Sequence, residues 1–456
     1  MIIYTKDVLM FKIGFVSLGC SKNQVDTEVM LHLLDEKGYE ITTEEIDADV
    51  IIINTCAFIE SAKKEAIDNI LDIAWLKEHR KLKKIIVTGC LAERYREQIL
   101  EQMPEVDAVL GVGSIHEICD VVERAVKGER CTVTGDKNTS PLGGGRMVTT
   151  PVHSAYIKIA EGCDNKCTYC AIPLIRGKFR SRTIEDIVEE AKLFDRDGTR
   201  ELSLIAQDTS RYGVDIYGEY SLVKLIRAIC ENTSIPHIRL LYCYPDKITD
   251  ELVEEIRDND RVLKYIDLPI QHINDNVLTR MNRHGGSAVI KDTIKRLRDA
   301  VPGIVIRTTV IVGFPGETDE EFGELVDFVK ETKFERLGAF TYSREEDTPA
   351  YDLDGQIDEE IKDERLDTIM TLQAEIAEKY SASQVGKTLD VLVDEYDAAA
   401  GAYVGRSFAD APDVDCCVFF DVDGDKTKYK PGDYVKVKIT DFESYDLIGE
   451  SVKEAK

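Results

Sequence analysis

The amino-acid sequence predicts a multidomain α/β protein. It reads as an N-terminal parallel α/β sheet domain, a central partial (β/α) barrel of about six units, and a small antiparallel β-barrel at the C-terminus. Three observations predict this. Apolar strand-like runs alternate with helical stretches twice, on either side of a Gly-rich linker, and that spacing implies right-handed crossovers and parallel pairing. After residue 385 the pattern changes to short β-rich runs separated by Gly, Pro and Asp turns. Finally, 456 residues exceed what one ordinary core holds.

In chain order, residues 1–10 read as an appendage, with Met1 and Met10 both available as starts. Three strand-like runs, 13–20, 50–56 and 85–90, each end in a cysteine: Cys20, Cys56 and Cys90. Helical segments at 26–37, 61–79 and 92–102 follow them. In a parallel sheet these cysteines stand at the carboxyl ends of their strands, the edge where open α/β folds bind ligands. One such cysteine reads equally well as a small buried hydrophobe. Three at equivalent strand ends point to converging thiols and to a three-cysteine cluster with an open iron. Cys119 and Cys131 lack that context and read as structural thiols. A helix over 114–127 capped by Ser114, then a linker over 139–147, close the first domain, 11–148.

The second domain, 149–357, predicts strands at 155–160, 201–206, 237–243, 264–268, 304–312 and 336–342. Helices are predicted between them at 184–194, 222–230, 250–257, 287–300 and 319–332. Such an array places a site at the carboxyl mouth of its strands. Directly after the first strand comes Cys163-Asp-Asn-Lys-Cys167-Thr-Tyr-Cys170. Three thiolates on one short loop can hold three corners of an iron–sulfur cluster while the fourth iron lacks a protein ligand. A structural zinc, or a cluster that only transfers electrons, normally closes its shell with four. Gly313 and Gly316, after the fifth strand, suit either a simple turn or close backbone approach to a flat or polar ligand. Gln207, Asp208, Gln271 and His272 are further rim candidates. A connecting helix, 358–383, presents Ile361, Leu366, Ile369, Met370, Ile376 and Tyr380 on one side, interrupted by Gln373, and leads to the last domain, 384–452.

Composition narrows the classes further. No apolar run reaches the ~18–20 residues that cross a bilayer, and the N-terminus lacks the pattern of a secretory signal. A cytoplasmic protein with reduced thiols and no membrane association is therefore expected. The net charge of −28 opposes binding to a phosphate backbone and suits either plain solubility or a basic macromolecular partner. Residues 384–456 carry 16 Asp and Glu against 9 Lys and Arg, where an RNA-docking module should lean basic. Arg176, Lys178, Arg180 and Arg182 read as a solvated or ion-paired loop in preference to an RNA contact.

The loop Cys163-x-x-x-Cys167-x-Tyr169-Cys170 resembles the signature of radical S-adenosylmethionine enzymes. Residues 17–28 (Ser-Leu-Gly-Cys-Ser-Lys-Asn-Gln-Val-Asp-Thr-Glu), Asn54-Thr55-Cys56, Thr88-Gly89-Cys90 and a C-terminal β domain resembling a TRAM module extend the likeness. Together they resemble the radical S-adenosylmethionine methylthiotransferase family over nearly the full length. Residues 171–182 and 405–415 resemble the branch that modifies an aspartate in the twelfth protein of the small ribosomal subunit. The other branch, which modifies a tRNA adenosine, is the alternative. Cys416-Cys417 departs from the glycine more usual at that turn.

The resemblance implies two [4Fe-4S] clusters. Cys163, Cys167 and Cys170 would hold the one that cleaves S-adenosylmethionine, with Tyr169, Gly313, Gly316 and Gln207 as cofactor contacts. Cys20, Cys56 and Cys90 would hold the one that carries sulfur. S-Adenosylmethionine would serve twice, as radical source and as methyl donor, and the radical would remove a hydrogen from the aspartate β-carbon. The implied partners are a basic ribosomal protein, free or assembled, and an electron donor such as a flavodoxin or ferredoxin.

Overall fold

The structure, a computed structural model, describes residues 11–421 and 426–452; the expected appendage and its two candidate starts lie outside the described residues. Strands β1 (Lys12–Ser17), β2 (Glu40–Thr42), β3 (Val50–Thr55), β4 (Lys84–Gly89), β5 (Ala108–Leu110) and β6 (Cys131–Val133) form one parallel sheet in the order β2-β1-β3-β4-β5-β6. The Val-Ile-Ile-Ile run of β3 is wholly buried, as a central strand covered on both faces requires. Helices α1 (Ser21–Glu36), α2 (Glu60–His79), α3 (Cys90–Tyr95), α4 (Glu97–Gln102) and α5 (Ile118–Val126) supply those covers. Strand order reverses between β1 and β3, and a ligand crevice opens at such a switch point.

The N-terminal unit departs from the sequence pattern at several points. Helix α1 starts at Ser21, with Cys20 as its N-cap, because the helix begins before the apolar periodicity that marks it in the sequence. Ser114 caps nothing: it lies in a 3₁₀ turn, Val112–Glu117, and Glu117 precedes α5. The three-residue strands β2, β5 and β6 are too short to leave a readable pattern. The linker is anchored, since Arg146 is buried between Glu28 of α1 and Glu190 further along the chain.

The central unit begins with β7 (Ser154–Lys158) and a two-residue ladder, β8 (Ala160–Glu161) with β9 (Arg180–Ser181), around α6 (Ile172–Arg176). There follow α7 (Ile184–Asp197), β10 (Glu201–Ile205), α8 (Val214–Tyr217), α9 (Leu222–Asn232), β11 (His237–Leu240), α10 (Asp250–Asp258) and β12 (Val262–Asp267). Then come α11 (Asp275–Arg280), α12 (Gly286–Ala300), β13 (Val305–Val312), α13 (Asp319–Thr332) and β14 (Arg336–Thr341). The six long strands pair in chain order, β7-β10-β11-β12-β13-β14, all parallel, and make an open arc. Helix α14 (Glu359–Gln384) packs on β14. Its first inward positions are Lys362 and Arg365, which donate to the Tyr342 and Glu317 carbonyls, while Ile361 is left exposed. Gln373, the apparent break in the apolar stripe, is buried and donates to the Phe334 carbonyl at 3.0 Å.

Strands β15 (Thr388–Asp397), β16 (Ala402–Arg406), β17 (Val418–Phe420), β18 (Tyr434–Glu443) and β19 (Asp446–Ser451) close a barrel in the order β15-β16-β17-β19-β18. Its pairs are antiparallel except β17 with β19. The barrel stands against the amino-terminal ends of the central strands. Arg406 pairs with Glu201, Tyr434 Oη meets His237 Nδ1 at 2.7 Å, and Asp394 meets His153 at 2.9 Å. The segment after β16 enters the arc: Ala409 and Ala411 pack with Tyr156, Leu241 and Tyr265. Tyr156 Oη donates to Asp413 (2.9 Å), Tyr265 Oη donates to Asp415 (2.7 Å), and Arg336 pairs with Asp410 (2.6 Å). Three acids counted from sequence toward an external acidic face are thus engaged within the molecule, Asp410 and Asp415 out of solvent and Asp413 at the surface.

Candidate active site

The three N-terminal cysteines come together at the switch point. The chain leaves β1 through Leu18 and Gly19, and a β-carbon on Gly19 would stand 3.0 Å from Cys56 Cβ and 3.4 Å from its Sγ, so glycine is required for Cys20 and Cys56 to approach. Asn23, fully buried, staples the loops. Its amide nitrogen donates to the Leu18 and Thr55 carbonyls at 3.1 and 3.0 Å, and its carbonyl oxygen faces Cys90 Sγ at 3.6 Å. The Asn54 side-chain amide in turn donates to the main-chain carbonyl of Asn23 at 2.7 Å.

Cys163, Cys167 and Cys170 stand at the carboxyl end of β7. Cys170 N–H donates to the Cys167 carbonyl, and Lys166 adopts a left-handed conformation that folds the loop back. Thr168 fastens it to the end of α11, donating from its N–H to the Met281 carbonyl and from its hydroxyl to the Arg280 carbonyl (2.8 Å). Donors surround the sulfurs: Asn165 Nδ2 lies 3.4 Å from Cys163 Sγ, Tyr244 Oη 3.7 Å from Cys167 Sγ, and Arg283 Nη1 3.9 Å from the same atom. Such hydrogen bonds tune thiolate-bound clusters. Among the described residues no three His, Cys, Asp or Glu side chains close around a single metal ion. Two separate thiol triplets suit multi-iron clusters, which take one thiolate per iron.

A polar chain joins the two triplets. Arg176, 2% exposed, donates to Cys90 Sγ (3.6 Å), to Asn23, to Asp26 (2.5 Å) and to Glu161 (3.2 Å). Lys158 meets Asp26 and Glu161, and Gln207 Nε2 donates to the second Glu161 oxygen at 2.6 Å. Asp208, next in sequence, accepts from Asn165 at 2.7 Å, which leads back to Cys163. Two carboxylates face two cations, so the buried network is paired, as burial of charge demands. On the far side of the mouth, Glu345 after β14 accepts from Lys63 (3.1 Å) and Arg94 (2.6 Å), clamping the N-terminal unit over the barrel. Of the basic run, Arg176 and Arg182 are ion-paired, Arg182 with Asp186 and Glu190; Arg180 donates to the Ser140 and Lys137 carbonyls, and only Lys178 is exposed.

The other predicted residues divide. Tyr169 packs, partly buried, against Val277, Met281, Phe314 and Tyr342 beside the cysteine loop. Gln207 Oε1 is buried without a partner among the described residues, so it is an acceptor waiting for a donor. Gly316 binds the Gly355 carbonyl through its N–H (2.8 Å). At Gly313 the absent side chain is replaced by Lys362, whose Cγ would lie 2.4 Å from a β-carbon. His272 is buried with its pKa pushed down to about 3 by desolvation, its Nδ1 accepting from Asn274 N–H, and Gln271 bridges to β13. Both lie in the turn that follows β12.

Burial pushes the Cys90 thiol up to about 12 and the Cys163 thiol up to about 11; Cys56 and Cys170 move upward for the same reason. These sulfurs keep their protons until a metal displaces them, so cluster loading releases protons here. Asn23 and Asp26 lie in the 17–28 stretch that carries the family likeness, but no individual role for them was legible there; Lys158 and Glu161 are signalled only by polar types in an otherwise apolar strand end.

The chain matches Uncharacterized protein family UPF0004 over residues 12–111, the Radical SAM superfamily over 157–329 and the TRAM domain over 385–452. Fold, site and matches define a radical S-adenosylmethionine methylthiotransferase. A protein of Thermoanaerobacter sp. (strain X514), called ribosomal protein uS12 methylthiotransferase RimO, is 50% identical over 97% of this chain and 100% of its own length. The protein of that name from Desulforamulus reducens is 49% identical over 97% and 99%. The chain belongs to the RimO family. Among solved structures, the radical S-adenosylmethionine methyltransferase TsrM from Kitasatospora setae, with cobalamin and a [4Fe-4S] cluster bound, shares the fold at a TM-score of 0.55 and 14% identity, covering 75% of this chain and 77% of that one. Among the described residues no helix is long and apolar enough to cross a membrane.

Proposed function

We propose that this enzyme attaches a methylthio group to the β-carbon of an aspartate in ribosomal protein uS12. The observation that carries the reading is the pair of three-cysteine groups joined through Arg176, Glu161 and Gln207, in a chain half identical to uS12 methylthiotransferases over their full length. Cys163, Cys167 and Cys170 are the residues to hold one [4Fe-4S] cluster, and Cys20, Cys56 and Cys90 a second. When bound, the clusters and S-adenosylmethionine supply radical formation at the first triplet and sulfur and methyl delivery at the second.

The chain's own part is placement. Asn165, Tyr244 and Arg283 direct hydrogen-bond donors at the sulfurs of the first triplet. Gln207 offers its free carbonyl oxygen to the cofactor, and Tyr169 and Gly316 are further proposed contacts. The Asp26–Lys158–Glu161–Arg176 network excludes water between the triplets, which protects a reactive carbon centre. An electron donor such as a flavodoxin or ferredoxin and a cytoplasmic setting complete the proposal.

The test is anaerobic turnover of the reconstituted enzyme with S-adenosylmethionine, a reductant, and either uS12 or tRNA, read by mass spectrometry. The expected result is the methylthio mass gain on a uS12 aspartate. A modified tRNA with untouched uS12 would overturn the substrate.

A further inference from the structure

Lys22 lies two residues after Cys20, in the first turn of α1, and is only 7% exposed. Its ammonium sits 3.1 Å from the centroid of the Tyr242 ring and makes no hydrogen bond or ion pair among the described residues. Tyr242 follows β11 at the barrel mouth in a left-handed conformation, held by Asp267, which accepts its N–H at 3.0 Å, and by Thr209, whose N–H it accepts at its carbonyl. Two residues on, Tyr244 touches Cys167 Sγ. Lys22 therefore stands at the mouth between the two thiol triplets.

Its natural partner is already engaged. Asp26, one turn along α1, gives one carboxylate oxygen to Lys158 and the other to Arg176. The buried network of Asp26 and Glu161 against Lys158 and Arg176 balances without Lys22, which is left as a surplus cation. Buried charges are normally paired, and an aromatic face compensates a desolvated ammonium only in part. Lys22 is thus left without a counter-ion among the described residues.

We infer that Lys22 binds the side-chain carboxylate of the substrate aspartate and so selects an acidic residue at the position that is modified. A carboxylate held there would orient the neighbouring β-carbon between the groups of the two triplets. The Tyr242 ring keeps the ammonium aimed into the mouth until that carboxylate arrives. This inference rests on the uS12 reading above.

The test is a double-mutant cycle by anaerobic binding of uS12 to reconstituted enzyme. It uses wild type, Lys22→Met and Lys22→Arg, each against native uS12 and uS12 with the modified aspartate changed to asparagine. Wild type should prefer the aspartate form by about 10- to 100-fold, the range for hydrogen bonds to a charged group. Lys22→Met should bind both forms alike, at the affinity wild type shows for the asparagine form. Lys22→Arg should recover part of the preference. Iron content should match wild type, and the dissociation constant for S-adenosylmethionine should stay within about twofold, since neither is held by this ammonium. Equal weakening of both uS12 forms by Lys22→Met, or loss of iron, would overturn the inference. So would a tenfold weaker S-adenosylmethionine complex, which would assign the ammonium to the cofactor's own carboxylate. If wild type neither binds nor modifies uS12, the substrate reading itself is wrong and this inference falls with it.

Discussion

The two thiol triplets proposed to hold clusters are built with opposite architectures. Cys163, Cys167 and Cys170 occupy eight consecutive residues of one loop, shaped by a local turn at Lys166 and laced to α11. Cys20, Cys56 and Cys90 come from three different strands and meet only because β1, β3 and β4 are neighbours in register at a switch point. A local triplet depends on loop conformation, whereas a distributed one depends on a whole sheet. Damage to the fold should therefore separate them, and the buried residues that serve each triplet show where to apply it.

The largest separation should come from Asn23→Ala. The change strips the Leu18 and Thr55 carbonyls and an Arg176 nitrogen of their partner, at a cost of about 2–4 kcal/mol for buried groups left unsatisfied. Iron per chain after anaerobic reconstitution should fall to about half, the metal of the N-terminal triplet being lost, and the urea midpoint should drop. Full iron with an unchanged midpoint would mean that the sheet alone sets the distributed triplet.

A smaller, pH-dependent effect is expected on the barrel side. Burial pushes the Glu317 carboxyl up to about 7 from an ordinary 4.5, outweighing the Phe314 N–H and the Arg365 guanidinium that favour its charge. A folded-state pKa above the unfolded value stabilises fully below 4.5 and loses that contribution as pH rises through 7. Glu317→Gln should therefore be close to neutral at pH ~5 and more stable than wild type by about 1–3 kcal/mol at pH ~8. Thermal melts at the two pH values measure this, and iron content should not change. A constant offset between the two proteins would assign Glu317 a charged state throughout.

The contrast also explains what the sequence made legible. The six central strands, their intervening helices and the loop triplet could be read because their signals are local: apolar runs, helical periodicity and a fixed cysteine spacing. The distributed triplet was legible only through a repeated position, a cysteine at each strand end, and the switch point that unites them is a property of strand order. The short strands β2, β5 and β6 carry too few residues for a pattern. The site's ion network was invisible because Asp26 is 132 residues from Lys158, in another domain, and the four charges look like surface groups one at a time. The acidity of the C-terminal barrel misled in part: Asp410, Asp413 and Asp415 face Arg336, Tyr156 and Tyr265 within the molecule.

The claim that the triplets perform separate halves of one reaction is tested most directly by replacing Cys20, Cys56 and Cys90 together with alanine and following both products anaerobically. S-Adenosylmethionine should still be cleaved to 5′-deoxyadenosine while no methylthio group reaches uS12. Loss of cleavage with the Cys163, Cys167 and Cys170 cluster still assembled, or methylthiolation that persists without the N-terminal thiols, would contradict it.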